Sequence, residues 1–170
     1  MNAQRIKLIA AYAGGLFTAA IFLDSLRFKF TGHETPQHIF TTLRDWSGID
    51  LFYPAGPWII GLGELVAAML ILVLPLVARF VGLARLAPVS QVAGALIGLA
   101  IMSGAIGFHL FTPLGIPTPV EWANGEPTAF SSALFIAACI TWSACAAITV
   151  LRGREALDVI QPYFAKPALA

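Results

Sequence analysis

Four long apolar segments dominate the pattern of hydrophobic and polar positions in this chain. They cover about residues 6–26, 58–78, 89–111 and 129–151. A helix needs about 20 apolar residues to cross the roughly 30 Å hydrocarbon core of a bilayer, and each segment reaches that length. The runs are too long for strands and lack strict alternation. The pattern predicts an all-α membrane protein, a four-helix bundle whose second helix is kinked or ended in its last turn by Pro75.

The stretch between the first two segments has a periodicity of its own. Thr35 is a favourable N-cap and Pro36 a favourable first helical residue. Beyond them, apolar side chains recur at helical spacing, namely Ile39, Phe40, Leu43 and Trp46. We expect a short amphipathic helix that ends at Ser47-Gly48 and that lies on the bilayer or caps the bundle.

Composition supports a single transmembrane domain and excludes several classes of function. The 170 residues are 58% hydrophobic and only 11% charged, with a net charge of +1. A typical soluble domain is about 25% charged. We therefore expect the lipid bilayer as a partner, together with other membrane subunits or further copies of the chain, and no nucleic acid. No phosphate-binding loop, nucleophile elbow or haem-attachment motif is present.

Basic residues are distributed unequally between the two sides of the predicted bundle. Seven of the ten lie on the side of the termini: Arg5, Lys7, Arg79, Arg85, Arg152, Arg154 and Lys166. Three lie opposite: Arg27, Lys29 and Arg44. Because positive charge concentrates in cytoplasmic loops, both termini are predicted to be cytoplasmic, including a tail at about 152–170.

Four ionisable residues form the candidate site. Glu64 lies within the second span, Asp24 and Arg27 lie near the outer end of the first, and His109 lies near the outer end of the third. Charges inside spans are costly and therefore indicate function. From their similar depth we expect a cluster that binds a quinone head group or relays protons. The alternative is a structural ion pair between Glu64 and Arg27.

Small residues mark a second feature of the spans. Gly94, Gly98, Gly104 and Gly107 lie on the third span, and the fourth is rich in alanine and serine. Small residues allow close approach of helices in lipid. They predict packing within the bundle, or a face that docks another membrane protein.

Three residues of the first outer loop have side chains of the types that bind metals. His33, Glu34 and His38 occur in the string HETPQH. The HExxH zinc motif places its two histidines one helical turn apart, and this string does not. We interpret these residues as loop residues beside a helix cap and predict no metal, although they are the ligands to examine if a metal binds.

Three segments carry a family resemblance: FLDSLRFKFTGHE, WIIGLGELVAAML and HLFTPLGIP. With them the chain resembles the DoxX-like family of small four-span bacterial inner-membrane proteins. The resemblance implies a bundle in the bacterial plasma membrane and a link to respiratory, sulfur-redox or oxidative-stress systems. Some members are subunits of thiosulfate:quinone oxidoreductases. It implies no set of catalytic residues, and only the surroundings of Glu64 and the Arg27–Lys29 segment correspond to recognisable features.

Together these features favour an accessory subunit of a membrane-bound redox or respiratory complex. We expect no metal or haem of its own and no independent catalytic activity, with quinone as the candidate ligand of the outer polar cluster. The alternatives are a structural or assembly protein that docks a partner through its small-residue faces, and a small transporter. Transport would require oligomerisation, since four spans are few and no inverted repeat is visible.

Overall fold

The computed structural model describes residues 2–164 of the chain. Within them, four helical stretches are long and apolar enough to cross a membrane: Ala3–Phe30, Ala55–Phe80, Ala84–Phe111 and Ala133–Phe164. The predicted all-α architecture with four spans is confirmed, and it is that of a multi-pass membrane protein. Lys166, which was assigned to the tail, lies outside the described residues.

The elements follow one another in the chain as six helices with a two-stranded hairpin before the last. They are α1 (Ala3–Phe30), α2 (Glu34–Ser47), α3 (Ala55–Ala68), α4 (Leu74–Phe80), α5 (Ala87–Phe111), β1 (Thr118–Ala123), β2 (Glu126–Ser131) and α6 (Ala133–Phe164). Short 3-10 turns lie at Asp50–Phe52 and Ala84–Leu86, and a π-helical turn at Met69–Val73 joins α3 to α4.

The spanning helices pack in a ring in the order α1, α3–α4, α5 and α6, so that each contacts two neighbours. We call the end that holds the start of α1 and the end of α6 the terminal end. The opposite end is the capped end, because α2 and the hairpin β1–β2 lie there. Phe22, Ile71 and Ile148 are fully buried in the middle of the bundle. These side chains therefore fill the middle of the bundle and separate its two ends.

The second span continues through Pro75 rather than ending there. A proline has no N–H and its ring crowds the carbonyl one turn earlier. The π-helical turn Met69–Val73 immediately precedes it, with the N–H of Leu74 bonded to the carbonyl of Met69. Ser90 donates its hydroxyl hydrogen to the carbonyl of Leu70 at 2.7 Å. The wider turn thus accommodates Pro75, and the span extends to Phe80.

The amphipathic helix α2 is present and caps the bundle, but it begins earlier than predicted. Its N-cap is His33, whose Nδ1 accepts a hydrogen bond from the N–H of Thr35 at 3.2 Å. Thr35 is therefore not the cap. The helix ends before Gly48, whose φ of 72° is the left-handed conformation that glycine adopts readily. Phe40 packs directly against Gly56 of α3.

The loop before α6 forms a hairpin that the apolar pattern did not predict. Strands β1 and β2 pair antiparallel around Asn124-Gly125, which have φ values of 54° and 81°. Both positive values are those of the tight turns that join hairpin strands. Ala129, the predicted start of the fourth span, lies in β2. Helix α6 continues to Phe164, so the described part of the predicted tail at about 152–170 is helical.

Candidate functional site

One face of α1 carries the polar residues that enter the bundle. Buried positions on this face are separated alternately by four and three residues: Ala11, Gly15, Thr18 and Phe22. The same spacing continues to Ser25 and Lys29 near the end of the helix. Since residues at these intervals share one side of a helix, the last two turns of α1 direct a hydroxyl and an ammonium group toward α3.

Glu64 of α3 receives both groups and completes the polar cluster Ser25–Lys29–Glu64. The Lys29 Nζ atom lies 2.8 Å from Oε1 and 2.7 Å from Oε2 of Glu64. The Glu64 side chain is only 4% exposed and that of Lys29 is 14% exposed. This is a salt bridge largely withdrawn from solvent, formed between two helices that are close neighbours in the ring.

Ser25 links the two charged groups. Its Oγ accepts a hydrogen bond from Lys29 Nζ at 3.1 Å. The same Oγ lies within donor distance of Glu64 Oε2 and of the Phe22 carbonyl, the latter at 2.8 Å. A hydroxyl has one hydrogen and donates to one acceptor at a time. The cluster therefore contains a hydrogen that can be given either to the carboxylate or to the backbone.

Asp24 and Arg27 do not belong to this cluster. They pair with each other one turn apart on α1, with Arg27 Nε 2.9 Å from Asp24 Oδ1. Their side chains are 59% and 68% exposed, respectively. The expected ion pair between Glu64 and Arg27 was wrong, because Arg27 lies about 200° around the helix from Lys29 and so points away from α3.

His109 is buried near the end of α5 and stabilises the turn that follows. Its Nδ1 lies 2.6 Å from the carbonyl of Gly115, which has a φ of 68°. A carbonyl can only accept, so Nδ1 carries the hydrogen. The ring packs edge-on against Phe135 of α6 at 5.7 Å. Within residues 2–164 no hydrogen bond or salt bridge joins His109 to Glu64, so the four predicted residues divide into three separate sets.

The glycines of α5 divide into two kinds. A Cβ atom at Gly94 would lie 2.8 Å from the Ala67 carbonyl oxygen, and one at Gly98 would lie 2.7 Å from Cys145 Sγ. A Cβ at Gly104 would approach only Phe108, at 3.9 Å, and one at Gly107 would meet no atom within 4 Å. Gly94 and Gly98 therefore allow packing within the bundle, whereas Gly104 and Gly107 leave an open strip on α5.

Two of the three candidate metal ligands, Glu34 and His38, line a surface cavity at the capped end. The cavity has a volume of about 500 Å³, and its lining includes Glu34, His38, Asp45 and Trp122. His33 is occupied as the N-cap of α2. Among residues 2–164 no three His, Cys, Asp or Glu side chains lie close enough to hold a metal. Burial lowers the pKa of His38 below its ordinary value.

A second polar cluster lies at the terminal end, where the sequence analysis placed no candidate site residue. Arg152 of α6 is buried and donates from Nε to Gln91 Oε1 of α5 at 2.8 Å. Its Nη1 donates to Glu155 Oε2 at 2.6 Å. The sequence reasoning missed this cluster because it placed Arg152 one residue beyond the span. The polar residue Gln91 inside an apolar helix was the available indication.

No protein-family model, curated protein or solved structure matches this chain. The resemblance to the DoxX-like family therefore stays a prediction, and the function is argued from the two polar clusters and the helix faces.

Proposed function

We propose that this protein is an accessory subunit of a membrane-bound redox or respiratory complex, and that the Ser25–Lys29–Glu64 cluster is its polar contact with a quinone head group. The observation that carries the proposal is the arrangement of this cluster. A carboxylate, an ammonium and a hydroxyl share hydrogen bonds within two adjacent apolar helices. Ionisable groups at such positions are costly and are found where protons or ligands are handled.

The surroundings of the cluster suit a flat ligand dissolved in the bilayer. Phe30 follows Lys29 and stacks on Trp58, with ring centroids 4.7 Å apart and planes 11° from parallel. Trp58 is 53% exposed. Gly61, one turn before Glu64, allows the Phe30 ring to lie against α3. An apolar aromatic surface thus adjoins the polar groups, as recognition of a quinone ring and its carbonyls requires.

In this proposal the partner complex supplies the electrons, and the chain holds and passes protons. Lys29 donates a hydrogen bond to a quinone carbonyl and gives up a proton as the quinone is reduced, and the neighbouring Glu64 carboxylate favours the return of a proton from water to Lys29. The proposed setting is the bacterial inner membrane with both termini in the cytoplasm. The basic residues at the terminal end, Arg79, Arg85 and Arg152 among them, support that orientation.

The test must separate a proton-handling cluster from a structural ion pair. The double variant Lys29→Met/Glu64→Gln removes both charges together, which a buried pair tolerates far better than the loss of one. The matched control is Asp24→Asn/Arg27→Gln, which neutralises the exposed pair of the same helix. We expect the protein purified in native lipid to retain quinone and partner subunits in the control, and to lose quinone in the Lys29/Glu64 double variant. Equal quinone in both would contradict the proposal.

A second candidate is an assembly protein that docks a larger membrane partner. The observation that favours it is the open strip at Gly104 and Gly107, where added side chains meet almost nothing within the chain. Gly98 is unsuitable as a test position, because its replacement by leucine would collide with Cys145 inside the bundle. Gly107→Leu should release the partner while the bundle stays folded. Retention of the partner by this variant would exclude docking at the strip.

The transporter alternative would need a pathway between copies of the chain. The middle of the bundle is closed by Phe22, Ile71 and Ile148, which are at most 1% exposed. We therefore do not extend the proposal to transport.

A further inference from the structure

A cavity at the terminal end gathers arginines from three of the four spanning stretches. Its volume is about 370 Å³, and it opens between the start of α1 and the ends of the other spans. Its polar lining consists of Gln4, Arg79, Arg85, Arg152, Glu155 and Asp158. The cavity lies at the opposite end of the bundle from Glu64 and is independent of the proposed quinone contact.

The deepest of these arginines has donors to spare. Arg152 uses Nε on Gln91 and Nη1 on Glu155. Within residues 2–164 its Nη2 makes no hydrogen bond, and Arg152 itself lines the cavity. Buried polar groups are nearly always hydrogen-bonded in folded proteins. Arg152 therefore has hydrogen-bond donors left for an acceptor group with several oxygens.

The other two arginines are held beside the same cavity with free guanidinium edges. Arg79 donates from Nε to the Tyr12 hydroxyl at 2.9 Å and lies over the Tyr12 ring at 5.3 Å. These contacts orient the group, and its terminal nitrogens make no hydrogen bond to any other residue that the structure describes. Arg85 is exposed and makes no salt bridge in the described part of the chain. A planar guanidinium matches phosphate oxygens better than a lysine does.

The charges of the lining leave an excess of donors. Three guanidinium groups face two carboxylates, and Glu155 is already paired with Arg152. An anion that carries acceptor oxygens and no donor would balance the remaining groups. Exposed apolar side chains lie between Arg79 and Arg85 in the sequence: Phe80 is 89% exposed and Leu83 is 47% exposed. A charged pocket with an apolar rim fits an amphiphile, whose phosphate enters the pocket while its acyl chains lie on the rim.

We propose that this cavity is a phosphate-binding site, and that the phosphate belongs to the headgroup of an anionic phospholipid. Basic pockets between spanning helices recognise such headgroups by the same chemistry. Arg152 is the buried anchor, and Arg79 in the last turn of α4 and Arg85 in the connection to α5 close over the headgroup.

The experiment compares the full chain in nanodiscs of phosphatidylcholine alone with nanodiscs that also contain phosphatidylglycerol. Bound phosphatidylglycerol is counted by native mass spectrometry, and thermal unfolding is followed in both. Arg79→Gln and Arg85→Gln carry the test, because replacement of the buried Arg152 can also unfold the bundle. Arg27→Gln and Arg44→Gln at the capped end are the matched controls. A separate arm adds inorganic phosphate to the phosphatidylcholine nanodiscs.

We expect phosphatidylglycerol to be retained and to raise the unfolding temperature. Each cavity variant should weaken retention about fivefold, the equivalent of the roughly 1 kcal/mol that one basic residue contributes near an anionic surface, while the controls change nothing. Stabilisation by inorganic phosphate that both cavity variants abolish, without preference for phosphatidylglycerol, would keep the phosphate site and overturn its lipid source. Retention that is equal in all variants, with no response to phosphate, would overturn the site itself.

Discussion

At the scale of single residues, the proposed function depends on the Lys29–Glu64 salt bridge. Taking two charges out of water costs several kcal/mol per ion, and this cost is offset only when the geometry is good and further hydrogen bonds satisfy the groups. Here the ammonium contacts both carboxylate oxygens, at 2.8 and 2.7 Å. Ser25 supplies the additional hydrogen bond. The pair is consequently stable as a pair, and each partner alone would be an uncompensated charge.

Removing one partner should therefore cost more than removing both. We expect Lys29→Met to destabilise the bundle by about 3–5 kcal/mol, because it leaves a carboxylate buried without a cation. Lys29→Met/Glu64→Gln should recover most of that loss. Arg27→Ala, at the exposed pair, should cost less than about 1 kcal/mol. Reversible unfolding in mixed detergent measures all three. If the double variant is as unstable as Lys29→Met, the unpaired Glu64 carboxylate is not the cause of the destabilisation.

His38 should make the capped end sensitive to pH. Burial lowers its pKa in the folded state, so the unfolded chain takes up the proton first as the pH falls. His38 does not change the free energy of unfolding above about pH 6.5, the ordinary histidine pKa. Below that pH the free energy of unfolding decreases. We expect unfolding temperatures to decline between neutral and acid pH, and to decline less in His38→Gln. A pH profile that is identical in the two proteins would contradict this assignment.

To predict the partner of a buried charge from the sequence, one must know the direction in which each side chain points around its helix. Depth alone indicated that Glu64 is an ionisable residue within a span, which its burial confirms, but it proposed Arg27 as the partner. The buried repeat of α1, extended from Phe22 through Ser25, would have indicated Lys29 instead, since these positions share a face. The pairing of His109 with Gly115 was not predictable, because it depends on the left-handed turn after α5.

At the scale of whole elements, α5 combines two functions along one helix. Its first half is packed so closely that Gly94 and Gly98 leave no room for a methyl group. Its second half has glycines at 104 and 107, where an added Cβ would meet at most Phe108 of the same helix among the residues that the structure describes. Helices in lipid associate through such close contacts rather than through the hydrophobic effect. The first half therefore holds the bundle together, and the second half is available to another surface.

A matched pair of alanine substitutions tests this division. Gly94→Ala should destabilise the bundle by about 1–3 kcal/mol, because the new methyl group meets the backbone of Ala67 and forces the helices apart. Gly107→Ala should be neutral or stabilise by up to about 1 kcal/mol, since alanine favours the helix and meets open space. Thermal unfolding of the two variants compares them directly. Equal destabilisation would mean that Gly107 is also an internal packing position.

Most elements could be predicted from the apolar pattern, and those that were missed have identifiable causes. The spans and α2 could be predicted from the spacing of apolar residues, and these helices are present in the fold. The hairpin was missed because its strands are short and only partly apolar, although Asn124-Gly125 is a strong turn sequence. The extension of α6 past Leu151 was missed because hydropathy ends where charged residues begin, whereas the helix continues through them to Phe164.

At the scale of the whole molecule, the bundle has two polar ends separated by a closed core. The capped end holds the Ser25–Lys29–Glu64 cluster beneath α2 and the hairpin. Trp122 ties these two together by donating from Nε1 to Thr35 Oγ1 at 3.1 Å, and Thr35 donates in turn to the carbonyl of Pro119 at 3.1 Å. The terminal end holds the arginine cavity. The two ends consequently face different aqueous compartments or different leaflets, and their functions can be tested separately.

The orientation of these ends is open to a labelling experiment. Ala123→Cys places a thiol on the exposed hairpin, and Gln161→Cys places one near the exposed end of α6. Since basic residues concentrate at the terminal end, a membrane-impermeant maleimide should label the hairpin thiol in intact cells and the α6 thiol only after permeabilisation. The reverse pattern would place the termini outside and would move the proposed quinone contact to the cytoplasmic leaflet.

The role proposed for the Ser25–Lys29–Glu64 cluster is tested by quinone-linked oxygen consumption in membranes from a strain that lacks the protein. The strain is complemented with the wild type, with Lys29→Met/Glu64→Gln, or with Asp24→Asn/Arg27→Gln, each at matched abundance. If the capped-end cluster handles quinone protons, the wild type and the Asp24/Arg27 variant restore the flux and the Lys29/Glu64 variant does not. Full restoration by the Lys29/Glu64 variant would show that the buried salt bridge is structural only.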